Sequence, residues 1–208
     1  MGKTLNFIIS ITALVVLSSC ASITGFEEAR TIGEGNHEIN PSLNSVYMFD
    51  FFGDNEEDFY PHIDLKYRYG ITERLDLGVR MSSSFNIGAF AKFNIWDSDE
   101  RKMALGAGLE FGSTLASSFE THIPLYFSYY PNNNVTLNFS PRLIRLEVQG
   151  LSRSRTYTYL GGNMGILIGR GNSRLGLDFG FFNSIVGRKS YLVTAGVGAK
   201  FRIVSRGD

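Results

Sequence analysis

Cysteine, net charge and long apolar runs are all scarce in this chain. Of 208 residues one is cysteine, one is tryptophan and five are proline. A single cysteine excludes a disulfide framework and a thiolate zinc cluster. The 20 Lys and Arg balance the 20 Asp and Glu. There is therefore no basic excess to hold nucleic acid by counterion release and no acidic tail to act as a charge lure. After Cys20 no apolar run approaches the roughly 20 residues of a transmembrane helix, and helical periodicity is hard to find. What is plentiful is apolar and small: 43% hydrophobic residues, 13% aromatic and 23 glycines, against 19% charged. That is too apolar for disorder, and the length suits one domain with a sizeable core.

The first twenty residues, MGKTLNFIISITALVVLSSC, place one positive charge at Lys3, an apolar run from Phe7 to Leu17, and then small residues. This is the plan of a secretory signal. Its end, Leu17-Ser18-Ser19-Cys20, resembles the bacterial lipobox. The resemblance implies cleavage after residue 19, acylation of Cys20, and a mature chain with 19 basic and 20 acidic residues. Ala21 follows the cysteine where an aspartate would favour inner-membrane retention, so the same resemblance implies the outer membrane. Acyl chains at about 0.8 kcal/mol per buried CH₂ make a stable anchor.

Beyond Cys20 the chain alternates with period two in segment after segment. Ile63, Leu65, Tyr67 and Tyr69 interleave with His62, Asp64, Lys66 and Arg68, and Leu75, Leu77, Val79 and Met81 with Asp76, Gly78, Arg80 and Ser82. The pattern recurs from Phe85 to Ile95, Met103 to Phe111, Phe119 to Tyr129 and Tyr191 to Ile203. Turn signals at 70–74, 97–101, 131–134 and 170–173 are short, and the breaks between them are mostly longer or more variable. About ten strands follow, at 39–50, 61–69, 75–82, 85–96, 102–111, 119–130, 135–148, 156–169, 174–182 and 191–203. In 135–148 the apolar phase switches from Val135, Leu137 and Phe139 to Ile144, Leu146 and Val148, which predicts a bulge near Pro141.

An even number of such strands, with short turns at one end and longer loops at the other, predicts an all-β, antiparallel up-and-down transmembrane barrel. The chain resembles the small outer-membrane β-barrel proteins of Gram-negative bacteria over nearly its whole mature length. Two aromatic girdles support this: Phe49, Phe85, Phe111, Phe119, Phe181 and Tyr191 at one rim, and Tyr67, Tyr69, Phe93, Phe127, Tyr129 and Phe201 at the other. Thr194, Gly196, Ala199 and Phe201 loosely resemble the last-strand signal of such barrels. The expected organisation is a signal peptide at 1–19, a lipidated periplasmic tether at 20–38, the barrel at 39–203 and a tail at 204–208. The implied partners are outer-membrane lipids and the lipoprotein-processing and barrel-assembly machineries.

The polar phase mixes Asp64, Asp76, Glu110, Glu120 and Asp178 with Lys66, Arg68, Arg80, Lys92, Lys200 and Arg202, a self-neutralising interior. A hairpin with Tyr69 facing Leu75 sets Arg68 opposite Asp76 and Asp64 opposite Arg80, each pair contributing about 0.2–1 kcal/mol and fixing register. With His62, Glu120 and His122 these residues form the expected interior polar network. Tyr126, Tyr130, Tyr157 and Tyr159 would fill a lumen of this width, whereas aqueous channels need about 16–18 strands. Acid and histidine pairs at His62, Asp64, Glu120 and His122 suggest water activation, but no acid pair matches the outer-membrane barrel proteases. His37, His62 and His122 show no metal-ligand spacing. No catalytic, metal or cofactor site is expected. The acidic, aromatic segment from Asp50 to Tyr60 and the basic residues Arg153, Arg155, Arg188 and Lys189 read as solvated loops. The expected role is structural or surface-interacting. The alternatives are a periplasmic lipocalin-like lipoprotein, whose apolar phase would point inward, a rim-located barrel enzyme, or a narrow channel.

Overall fold

The computed structural model describes residues 26–49, 57–114, 118–149, 154–187 and 189–204. Ten strands follow one another: β1 (His37–Phe49), β2 (Glu57–Thr72), β3 (Leu75–Ser82), β4 (Asn86–Ser98), β5 (Met103–Thr114), β6 (Ser118–Asn132), β7 (Val135–Gln149), β8 (Ser154–Arg170), β9 (Ser173–Val186) and β10 (Tyr191–Ile203). Each pairs antiparallel with its neighbours in sequence, and β1 pairs with β10, so the sheet closes into a barrel with no free edge. No helix among the described residues is long and apolar enough to cross a membrane.

The period-two pattern explains the wall. Along β4, Ile87, Phe93 and Ile95 are exposed while Asn86, Lys92 and Asn94 are buried. The exterior is therefore a continuous apolar belt, the reverse of a soluble barrel. Aromatic rings gather at both ends of the belt. Phe111 stacks on Phe119 at 6.3 Å and Phe181 on Tyr191 at 6.0 Å at the end carrying the longer loops, here the loop end. Phe127 stacks on Phe139 at 6.3 Å, and His37 lies 4.9 Å from Tyr69, at the opposite or turn end. Phe49 differs from the other girdle residues in being half-buried.

Three expectations about the strands need correction. The β2–β3 hairpin pairs Tyr69 with Leu77, Arg68 with Gly78, Lys66 with Arg80 and Asp64 with Ser82, a register two residues from the expected one. The strands run on to a tight turn at Glu73 and Arg74, with a bulge between Gly70 and Thr72. The Thr72 hydroxyl accepts a hydrogen bond from the Arg74 amide at 3.2 Å. Arg80 still points inward and is fully buried, and Arg68 still meets Asp76, diagonally, at 3.5 Å. Second, no bulge lies at Pro141: pairing of β7 with β8 is continuous from Val135 to Gln149. Ile144 and Leu146 point into the lumen, while Arg145 points out and pairs with Glu147 at 2.7 Å. The change of apolar phase records what fills the lumen at that level and leaves the backbone regular. Third, β4 begins at Asn86, because Phe85 takes a positive φ of 58° in the β3–β4 turn.

The segment preceding β1, expected as part of a tether, lies inside the barrel. Phe26, Glu27, Glu28, Ala29 and Ile32 are buried. The segment runs from the mid-lumen toward the turn end, turns at Gly33 and Gly35 (φ 84° and 72°) and enters β1. Gly70 allows this close approach, since a Cβ there would lie 1.8 Å from the Gly33 carbonyl oxygen. The signal peptide, Cys20, the acidic residues 50–56, Arg153, Arg188 and the tail from 205 fall outside the described residues.

Candidate functional site: the charged lumen

Inward-facing side chains form three layers. At the loop end Val46, Met48, Ile144, Leu146, Tyr157, Tyr159, Phe182 and Leu192 make an apolar cluster. Tyr159 satisfies its hydroxyl on Ser190 at 2.9 Å. Space for Phe182 comes from Gly161, where a Cβ would meet its ring at 2.8 Å.

The middle layer is polar. Arg80, from β3, forks to Glu110 on β5 and Glu120 on β6, and its guanidinium donates to Asn86 Oδ1 at 3.1 Å. His122 Nε2 lies 3.7 Å from Glu120. His62 Nε2 lies 3.4 Å from Asp64, which accepts a hydrogen bond from Asn44 at 2.6 Å. One arginine between two carboxylates is the arrangement a buried charge requires. Both histidines are buried.

The third layer, at the turn end, is built around the segment. Arg68 contacts Glu27 at 2.9 Å as well as Glu38 and Asp76. Lys66 and Lys92 lie 3.8 and 4.0 Å from Glu27, and Lys92 lies 3.2 Å from Asp76. Glu28 meets Arg174 at 3.0 Å, Arg202 at 3.5 Å and Lys200 at 3.8 Å. Lys92 also donates to the carbonyls of Glu28 and Arg30. The Ala29 amide donates to Ser128 at 2.7 Å. Beneath these contacts Phe26 rests on a floor of glycines, since a Cβ at Gly176 or Gly198 would come within 2.6–2.8 Å of its ring. Burial alone would raise the Glu27 carboxyl, but Arg68, Lys200, Lys66 and Lys92 outweigh it and hold the group well below the ordinary carboxylate range. Burial likewise opposes ionisation of Glu28, and Lys200, Arg174 and Arg202 override it, leaving its carboxyl lowered.

All seven residues of the expected polar network point inward, but in two groups. Arg68 and Asp76 belong to the turn-end layer, and Arg80, Glu120, His122, His62 and Asp64 to the middle one. Glu27, Glu28, Glu38, Arg142 and Arg174 were missed. A signal for the first two did exist. Toward the turn end the inward phase holds Lys66, Arg68, Lys92, Lys200 and Arg202 against Asp76, a local excess of cations that the whole-lumen balance conceals. Among the described residues no group of three or more His, Cys, Asp or Glu side chains is placed to hold a metal ion.

No protein-family model matches the chain, and no curated protein matches it in sequence. Among solved structures it is similar to the COG4313 outer membrane channel from Pseudomonas putida F1, with a TM-score of 0.51 and 8% identity over 86% of this chain and 100% of that one. The NanC porin gives 0.50 at 8% identity, over 78% and 100%. Ail, the attachment invasion locus protein of Yersinia pestis, gives 0.38 at 16% identity, over 82% and 99%. The fold is that of the outer-membrane β-barrels: closed, antiparallel and ten-stranded.

Proposed function

We propose that this chain is an outer-membrane barrel lipoprotein, acylated at Cys20, with a lumen closed by its own side chains and a structural or surface-interaction role. The observation that carries this reading is the inversion of the wall. Leucine, isoleucine, phenylalanine and methionine are exposed all around the exterior, while Arg68, Arg80, Lys92, Glu120 and His122 are among the most deeply buried side chains. Water would penalise that exterior, and a bilayer core of about 30 Å would accept it. The turn end then faces the periplasm and the loop end the exterior. The layers support closure, since an apolar cluster, a bridged arginine and an inserted segment succeed one another along the axis. The lipocalin-like alternative needs the opposite apolar phase. The burial of His62 and His122 favours this reading over a rim enzyme built on them.

Three measurements test the proposal. Purified protein should migrate as a compact band in detergent gels until boiled, and metabolic labelling with palmitate should be lost in C20S. A band indifferent to boiling, from protein that becomes soluble once the lipid is removed, overturns the membrane reading. Labelling that persists in C20S overturns the anchor alone. In planar bilayers the full chain should show no steady conductance, and a stable open pore would reject closure.

A further inference from the structure

The turn-end layer is unbalanced in charge even with the segment in place. Six cations, Lys66, Arg68, Lys92, Arg174, Lys200 and Arg202, face two wall carboxylates, Glu38 and Asp76. Glu27 and Glu28 reduce the excess of positive charge from four to two. Lys200 Nζ is buried without a hydrogen-bond partner, 3.7–3.8 Å from Glu38 and Glu28. A cation held at that distance from carboxylates on two sides is seated for an oxygen that comes closer than either. The layer is also reachable. A polar cavity of about 240 Å³ opens at the turn-end mouth beside Glu28, lined by Arg30, Arg174, Arg202, Tyr130 and Asn132. Arg174 and Arg202 keep about a fifth to a third of their side-chain surface exposed there, so Glu28 is the outermost carboxylate on that cluster.

We propose that the turn-end half of the lumen is a binding site for small, multiply charged anions, and that Glu27 and Glu28 occupy it in cis. An incoming dianion enters at the mouth, takes Arg174, Arg202 and then Lys200 from Glu28, and loosens the segment behind it. Charge-assisted hydrogen bonds from arginine suit phosphoryl and carboxylate oxygens equally. The cavity admits a molecule of a few heavy atoms and no polymer. This inference does not depend on acylation of Cys20 or on the barrel's role.

The test uses the full chain in detergent, titrated calorimetrically with inorganic pyrophosphate and, separately, with succinate. E27Q/E28Q removes the competing charges and keeps the shape, so it should bind at least tenfold more tightly than wild type. Which of the two anions gains more identifies phosphoryl or carboxylate chemistry. Adding K200Q should abolish the gain. In the wild type, saturating anion should speed amide hydrogen exchange across residues 26–36. If E27Q/E28Q loses its heat-modifiable band, E28Q, which retains the contact of Glu27 with Arg68, serves in the same comparison. Equal affinity in variant and wild type, binding to neither, or unchanged exchange in 26–36 overturns the proposal.

Discussion

The two ends of the lumen are filled by opposite means. At the loop end the strands supply the packing: Ile144, Leu146, Tyr157, Phe182 and Leu192 pack on one another, and Ser190, just before β10, satisfies Tyr159. At the turn end the wall supplies cations, and their counter-charges come in part from Glu27 and Glu28, outside the sheet. One layer is complete when the barrel closes; the other needs a guest. Burial of apolar surface is indifferent to pH, whereas the guest is held by charges whose desolvation must be matched contact by contact. The loop end should therefore behave as core, and the turn end as a seat that can be vacated.

The largest expected effect comes from breaking the seat. Arg68→Met leaves Glu27, Glu38 and Asp76 without their shared guanidinium, and loss of one partner of a buried pair costs about 3–5 kcal/mol. Three carboxylates lose a contact together, while Lys66, Lys92, Lys200 and Arg202 still face them. Urea unfolding in micelles should show the loss, and residues 26–36 should become open to limited proteolysis. Next, Phe182→Ala should cost about 3 kcal/mol by emptying the loop-end cluster. In that variant the segment stays protected, so instability without exposure of 26–36 separates the two layers. Third, Gly198→Leu places a side chain where Phe26 sits and should cost about 1–3 kcal/mol through overpacking, seen as faster exchange at residues 26–29 with the girdles unchanged.

Acidity should act on one end only. The Glu27 carboxyl is held below its ordinary value of 4.5 by Lys66, Arg68, Lys92 and Lys200, opposed by its own burial. The released segment would therefore bind the proton more tightly than the seated one. Seating is fully stabilised above about pH 4.5 and weakens as pH falls toward the depressed value. Hydrogen exchange in 26–36 should rise below pH 4.5 while the loop-end strands stay protected. Equal acid sensitivity at both ends would erase the contrast. The smallest effect is expected from Arg145→Ala. Its partner Glu147 is also exposed, and surface pairs contribute about 0–1 kcal/mol.

Strand order and orientation were legible because a wall between lipid-like and polar surroundings writes period two into every strand. Asp64, Arg68, Asp76, Arg80, Glu120, His62 and His122 all fell on the inward phase for that reason. The hairpin register was missed because it depends on where the chain turns. Thr72, Glu73 and Arg74 close a shorter loop than the polar run 70–74 suggests. The phase change in β7 was legible as a fact but open to two causes, a bulge or an apolar lumen, and only contacts across the barrel distinguish them. Residues 26–36 carry no alternation at all. Their placement is fixed by contacts with Arg68, Lys92 and Ser128, 41 to 99 residues away, and with Arg174 and Arg202, 146 and 174 residues away, distances at which no local pattern can report.

That separation bears on the order of assembly. Phe26 sits on glycines of β9 and β10, and Glu28 pairs with residues of the same two strands. The segment made first therefore finds only part of its seat, on Arg68, Lys92 and Ser128, until the portion made last is in the sheet. Joining such distant parts is slow, since loop-closure entropy must be met before any contact compensates it. Meeting of β1 with β10 and completion of that seat are then one event in time, and a chain caught before it would carry Glu28 without the cations of β9 and β10 that it meets in the closed barrel.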